Sequence, residues 1–445
     1  MVLSNYVFII ITIISIKNKR EEMKKLTTTL SLVSIFSLGI HASSTLEDRI
    51  KALESKNEVL TEEILASQSG GFTLVDTEKS FNGLGPAASK IYFSESPFSI
   101  GGYGEMFYAN PDNGDDFADI YRFITYIGYK FNDWVILNTE IEYEHGDTSA
   151  GGKAVVEFFH LDFLLSDKLN LRVGNLLVPM GITNIRHEPT LFNTIQRAEI
   201  ERQLIPSTWH ENGVLAYGRF DDVGIEYTAG VVNALNVDNN DAKNNDEGSA
   251  DGWIRSGRIG SNKNGSFSPA FVGRIDYTGI NGLVVGASAY HGNGSNLKNP
   301  VAGVATDDLT NTMFDIHGRY ENGRFKAYGL YTQTNLDSPV SFGVNAVEEA
   351  NGYYGNVAYD IGSLVGINYQ LPVFAQYENY NPVAKTRSGG ADESKYARET
   401  TTVGVNFWPA DQVVVKLDYE MDTIGKGTTT EQEINSVQFG FGFIF

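Results

Sequence analysis

Charged and hydrogen-bonding residues recur in this chain at every second position, over stretches of about ten residues. Asn138, Glu140, Glu142 and Glu144 alternate with Leu137, Ile141 and Tyr143. His160 and Asp162 alternate with Phe159, Leu161, Phe163 and Leu165, and Lys416, Asp418 and Glu420 with Val413, Val415, Leu417 and Tyr419. Arg122 and Lys130 oppose Tyr121, Phe123, Ile127, Tyr129 and Phe131. Period two puts each set on its own face of an extended strand. A charged face backed by an oily one is suited to line water, and charges ringed around water sort ions. Other constellations carry less. His187-Glu188 and His210-Glu211 lack the H-E-x-x-H spacing and read as loop hydrogen bonds rather than metal ligands. His160 and Asp162 have no serine at a defined geometry, so a hydrolase does not follow. Asp238, Asp241, Asp246, Glu247 and Asp251 miss the spacing of a calcium loop and read as solvated acid within 236–251. GLGPAA from Gly83 has no strand before it and is interrupted by Pro86, which argues against a dinucleotide turn. No catalytic residue, metal ligand or cofactor is expected.

These alternating faces need strands to carry them, and the last stretch shows the pattern best. In Asn435–Phe445, Val437, Phe439, Phe441, Phe443 and Phe445 fall on one face, and Ser436, Gln438, Gly440, Gly442 and Ile444 on the other. Eleven residues with an aromatic face are about what a tilted strand needs to cross a bilayer. A chain ending on such an aromatic resembles bacterial outer-membrane β-barrels, in which the terminal strand closes the barrel. The whole chain of 445 residues has 46 Gly, 23 Tyr, 26 Phe and no Cys. That composition fits strands burying one face and excludes disulfides and thiolate metal sites. The net charge is −21, and residues 1–42 hold five Lys/Arg against two Asp/Glu, so the remainder is more acidic still. Nucleic acid is excluded as a partner, because neutralising phosphates needs a basic face.

At the start, Met23, Lys24 and Lys25 precede an apolar run from Leu26 to Ile40 with a small-residue exit, the pattern of a secretory signal peptide. Residues 1–44 are therefore read as an upstream extension plus signal peptide, with Met23 the expected initiator. Leu46, Ile50, Leu53, Asn57, Leu60 and Ile64 recur at spacings of four and three, a heptad seam that predicts a periplasmic coiled coil over 45–65. A single amphipathic helix lying on a barrel mouth is the alternative. Residues 66–98 carry Ser, Gly and Pro without a sustained period and read as linker.

From Ser99 the chain repeats strand, tight turn, strand, long polar loop. Sixteen strands are predicted, at 99–109, 119–131, 134–145, 154–165, 169–175, 212–220, 223–233, 269–278, 283–291, 312–321, 324–334, 352–361, 371–380, 400–409, 412–421 and 435–445. Short connections such as Asp221-Asp222 and Asn322-Gly323 alternate with long ones rich in Asp, Asn and Gly. The expected fold class is all-β: a transmembrane antiparallel β-barrel over 99–445, preceded by a short coiled-coil helix. The connection after the fifth strand, 176–211, holds Leu, Ile, Phe and Trp without alternation, so it is expected to fold into the barrel and narrow it.

Around that connection the sequence becomes specific. "RVGNLLVPMG" before it, "IPSTWHENG" after it, and the later "NGYYGNVAYD" and "LPVFAQYENY" resemble the phosphate-selective porin O/P family. The resemblance covers roughly 99–445. It implies a sixteen-stranded, homotrimeric barrel in the bacterial outer membrane, with the third external loop as its constriction and arginines and lysines selecting anions. This chain departs from that pattern. Arg172, Arg186, Arg197, Arg202 and Arg219 lie near the loop, but so do Glu188, Glu199, Glu201 and Glu211, and no lysine cluster is present. Elsewhere on the inner face Arg122, Arg274, Arg319, Lys326 and Lys416 meet more numerous acids, Glu140 among them. Mixed signs sort polar solutes by size more than they select one ion. The expected function is thus passive diffusion of small hydrophilic solutes and ions. A phosphate or anion channel is the alternative, and a barrel enzyme or a loop-built adhesin stands further off.

Overall fold

Antiparallel strands pair in sequence order until the last meets the first, closing a barrel of sixteen. The computed structural model describes residues 73–146, 151–237, 252–261, 267–294, 309–337, 346–387 and 393–445. The expected signal peptide, the coiled coil over 45–65 and most of the acidic loop 236–251 lie outside the described residues. The first half of the wall is β1 (Phe98–Pro111), β2 (Phe117–Asn132), β3 (Val135–Glu144), β4 (Lys153–Ser166), β5 (Leu169–Leu177), β6 (His210–Phe220), β7 (Ile225–Asn233) and β8 (Pro269–Ile280). The second half is β9 (Leu283–Asn293), β10 (Thr310–Asn322), β11 (Phe325–Asp337), β12 (Val347–Asp360), β13 (Pro372–Thr386), β14 (Arg398–Ala410), β15 (Val413–Ile424) and β16 (Gln432–Ile444). Each predicted strand is present. β13 runs on to Thr386 because Lys385 and Thr386 still pair with Glu349 and Val347 of β12, across register shifts and beyond Pro382, where the alternation used to find the strand has stopped.

Closure is the register Tyr103↔Ile444 through Pro111↔Ser436, and Gly102 and Phe445 exchange both backbone hydrogen bonds at 2.9 Å beyond it. In lipid a bare backbone polar group costs several kcal/mol, so a wall with no free edge is what makes such a sheet viable. The two faces separate as the alternation requires. Phe159 is 55% exposed while its neighbours His160 and Asp162 are 2% and 0% exposed. Phe123, Phe131, Phe271, Ile275, Ile316, Val357 and Phe439 share the outer belt, and Arg122, Asn138, Asp315, Gln376, Lys416 and Gln438 the inside.

Strict alternation fails at one informative place. The β3–β4 register passes from Glu140↔Phe158 to Ile141↔Val156, so Glu157 is the extra residue of a bulge. Period two would put Glu157 on the lipid side with Phe159. The bulge turns it inward, and Glu157 and Phe158 are both buried.

The stretch read as linker is not one beyond residue 74. Helix α1 (Pro86–Phe93) packs against β1, β2 and β3, and residues 86–91 are all buried. Proline in its first turn gives up no helical hydrogen bond, and Lys90, in its last turn, reaches the carbonyl of Ile100 at 2.8 Å. Asn138 of β3 donates to the carbonyl of Ala88 at 2.8 Å. The helix escaped the sequence reading because eight residues are too few to show a period against Ser- and Gly-rich flanks. The wall admits it where β2 lacks a side chain: a Cβ on Gly128 would stand 2.6 Å from Cβ and Cγ1 of Ile91. Gly128→Val is therefore expected to lift α1 while leaving the barrel closed. Limited proteolysis should then cut between residues 84 and 97 of a protein that still shows heat-modifiable mobility; resistance equal to wild type would refute the packing.

Candidate functional site: the segment inside the barrel

Residues 178–209, between β5 and β6, do not extend outward as a loop. Asn184 pinches the two ends together, its amide donating to the carbonyls of Val178 (2.7 Å) and Trp209 (3.0 Å) while its Oδ1 accepts from the Trp209 amide at 2.7 Å. Val178, Met180, Ile200, Leu204, Ile205 and Trp209 then join a buried apolar cluster with Leu215, Val232, Val272, Tyr290 and Met313 of the wall. Burying these side chains is favourable by about 1.5–3 kcal/mol each, but it strands polar backbone that has to find partners.

Those partners are the inner-face acids. Asp315 of β10 accepts from the Gly181 amide (3.0 Å), Glu378 of β13 from Ile200 (3.1 Å), and Asp418 of β15 from Ile195 (2.7 Å). Within the segment, Glu201 on the short helix α2 (Glu199–Gln203) accepts from the amides of Ile182 and Thr183 and from Tyr354 Oη of β12. Asn193 bridges to Asn356 at 2.7 Å, and Lys416 donates to the carbonyls of Phe192 and Thr194, each at 2.8 Å. Much of the excess acid on the inner wall is thus spent on anchoring this segment rather than on facing water.

Glu188 joins the segment to α1. Its carboxylate accepts from the Ala87 (3.2 Å) and Ala88 (3.0 Å) amides at the helix N-terminus, where an anion is favoured. Gly85 allows the approach, since a Cβ there would stand 2.3 Å from Glu188 Oε1. Burial pushes the Glu188 carboxyl up to about 7, against the pull of those two amides. Beside it, burial and then the Arg197 guanidinium hold the His187 imidazole down to about 3, so the ring is neutral.

The structure distributes the predicted residues among three settings. Arg122 is buried in β2 with Glu105 at 2.9 Å and Glu142 at 3.4 Å, and Glu140 faces His187 at 3.0 Å. Arg172 pairs with Asp162 at 2.8 Å under the ring of Tyr217. Arg197 donates to the carbonyl of His187 at 2.7 Å and to Tyr103 Oη at 3.3 Å. These side chains, like Lys416, tie interior parts together. Glu199 and Arg202, paired at 3.0 Å, stay partly exposed towards the long-loop side, near Arg255 of helix α3 (Trp253–Ser256).

The third setting is a cavity of about 80 Å³ at the short-turn end, lined by Arg186, Arg319, Lys326, Glu321, Tyr328 and Trp408. Lys326 pairs with Glu321 at 2.6 Å, whereas among the described residues neither Arg186 nor Arg319 has an ion-pair partner. Arg274, close by in β8, is held by Asp276 at 2.6 Å. Arg219 is the exception to its expected place. It sits at the short-turn end of β6, 59% exposed and paired with Asp221, because its strand ends one residue later. Phe439 and Phe441 face outward, and Phe445 stacks on Phe123 across the closing seam, with Phe443 beside it. Glu157, absent from the predicted residues, could have been suspected from the cost of a carboxylate on a lipid face.

This architecture is the fold of the outer-membrane porins. The anion-selective porin of Comamonas acidovorans superposes with a TM-score of 0.51 at 13% identity, over 78% of this chain and 99% of that one. OmpF of Salmonella typhi, solved with daunomycin, gives 0.52 at 12% identity, over 78% and 97%. No family model matches the chain. It is 34% identical over 363 residues to an uncharacterized protein of Aquifex aeolicus (strain VF5), spanning 77% of this chain and 79% of the relative. The chain belongs to the family of that protein.

Glu188→Ala is expected to leave the Ala87 and Ala88 amides unpaired, weakening the docking of α1 by roughly 1–3 kcal/mol. Amide exchange should rise over residues 86–93 and not in the strands. The folded carboxyl holds its proton to about pH 7, above its unfolded value, so its contribution is complete below the ordinary carboxylate range and lost as pH rises through 7. Glu188→Gln should flatten that part of the stability profile.

Proposed function

We propose that this protein is a porin of the bacterial outer membrane, passing small hydrophilic solutes and ions by passive diffusion through a narrowed lumen. The observation that carries the reading is an inward segment hydrogen-bonded to a charged inner wall, inside a closed barrel whose outer belt is aromatic and aliphatic. A barrel closed merely for stability would fill its centre with apolar side chains. This one leaves partly exposed Glu226, Arg274, Arg319 and Lys326 along one side of its interior. The proposed organisation is an exported chain with 1–44 removed, a periplasmic coil over 45–65 and the barrel from 99, assembled as a homotrimer without cofactor or catalysis.

Within that reading, anion preference has a specific support. Arg186 and Arg319, which among the described residues have no carboxylate within ion-pair distance, line the same cavity, where Glu321 is already paired with Lys326. This is the feature by which the chain comes nearest to the phosphate-selective porin O/P family. Acids elsewhere are mostly committed to backbone amides or to arginines, so they weigh less in the field a mobile ion meets.

Purified full-length protein in planar bilayers should give stepwise, ohmic openings; membranes that stay silent at high protein concentration would remove the porin reading. In a salt gradient the reversal potential should report a preference for anions. Arg319→Glu should move it towards cations, whereas Arg197→Met should mainly lower thermal stability, because Arg197 is bound to interior acceptors. No shift with Arg319→Glu would take that cavity off the ion path.

A further inference from the structure

Where β3, the β4 bulge and the inward segment meet, Glu140, Glu157 and His187 each offer a ligand atom, all within 4.8 Å of one another. Among the described residues no other group of three His, Asp or Glu converges in this way. His187 Nε2 lies 3.0 Å from Glu140 Oε1 and 3.9 Å from Glu157 Oε2. All three residues are at least 98% buried. Ligand atoms bound at about 2.0–2.2 Å around a tetrahedral ion stand roughly 3.3–3.6 Å apart, and the observed spacings bracket that value.

The hydrogen-bonding of the imidazole decides what the spacing means. His187 Nδ1 is 2.8 Å from the backbone carbonyl of Asn184, an oxygen that only accepts, so the ring proton is on Nδ1. The Nε2 lone pair then points at carboxylate oxygens, an arrangement that repels unless something positive lies between. A backbone carbonyl holding the far ring nitrogen is also the usual support of a metal-bound histidine. Glu140 Oε2 and Glu157 Oε2 are buried with no hydrogen-bond partner. His317 makes the contrast: its Nδ1 faces Asp315 at 2.5 Å and its Nε2 faces both Asp276 at 2.8 Å and the Arg274 guanidinium at 2.7 Å, so its carboxylates lie on opposite nitrogens and do not converge on one point.

Charge points the same way. Arg122 is taken up by Glu105 at 2.9 Å and Glu142 at 3.4 Å, and among the described residues Glu140 and Glu157 have no arginine or lysine within ion-pair distance, only His187. We propose that Glu140, Glu157 and His187 bind one divalent first-row transition-metal ion, of which Zn²⁺ is the type, and that the ion pins the inward segment to the barrel wall. An imidazole with two carboxylates suits such an ion, whereas calcium and magnesium take oxygen ligands. The site stands on its own geometry and does not depend on conduction through the barrel.

The full-length protein, refolded in detergent with Zn²⁺ and passed over a chelating resin, should keep one zinc per chain by elemental analysis. Glu157→Gln and His187→Ala should each weaken Zn²⁺ binding by about 100-fold, while His145→Ala, at an exposed histidine, should not. Glu157→Gln preserves volume and is decisive where His187→Ala fails to fold, with heat-modifiable mobility as the folding check. Co²⁺ in place of Zn²⁺ should give the visible bands of a low-coordinate site with a nitrogen ligand, and chelation should raise amide exchange over 178–209. The proposal is overturned if no zinc is retained, if retention is the same in Glu157→Gln, or if millimolar Ca²⁺ displaces the ion. In the first case the carboxyl groups share protons instead.

Discussion

Backbone hydrogen bonding in an apolar surround is the constraint from which this structure follows. A strand in lipid has no water to satisfy its amides, so each must pair on both sides, and the ladder ends only when β16 meets β1. Closure creates an enclosed inner face, and the alternation of each strand dictates that this face is polar. The problem then moves inside, where charged and hydrogen-bonding side chains need water or partners.

The chain supplies partners from its own backbone. The inward segment brings amides and carbonyls that its apolar side chains have withdrawn from water, and the wall presents carboxylates, amides and one lysine to receive them. Asp315, Glu378 and Asp418 come from three different strands, so the segment is held from several sides. α1 extends the arrangement, because Glu188 belongs to the segment while the amides it accepts belong to the helix. Wall, segment and helix form one network, and opening any part of it exposes groups paired in another.

That network changes the meaning of the charges. Counted along the sequence, acids outnumber bases on the inner face and the field looks mixed. Once the acids bound to backbone amides or to arginines are set apart, the charges left facing the short-turn cavity include Arg186 and Arg319, two guanidiniums with no carboxylate within ion-pair distance among the described residues. A residue's formal charge and its influence on a passing solute are separate quantities, and the difference lies in what else it touches.

Strand number, strand order, the outer and inner faces and the closing role of Asn435–Phe445 were legible in the sequence, and the limits of most strands with them, though β12 starts earlier and β13 ends later than predicted. They rest on a period of two and on turn residues, which are local properties. The apolar character of 176–211 also announced a connection unsuited to solvent. Glu157 could not be placed from the sequence, because a bulge is a property of the pairing between β3 and β4 and breaks the very period by which strands are read. α1 was missed because its stability comes from Gly128, Asn138 and Glu188, which are distant in sequence. Which acids anchor backbone and which face open space was decided only by tertiary structure, since each depends on groups brought from as far as 223 residues away.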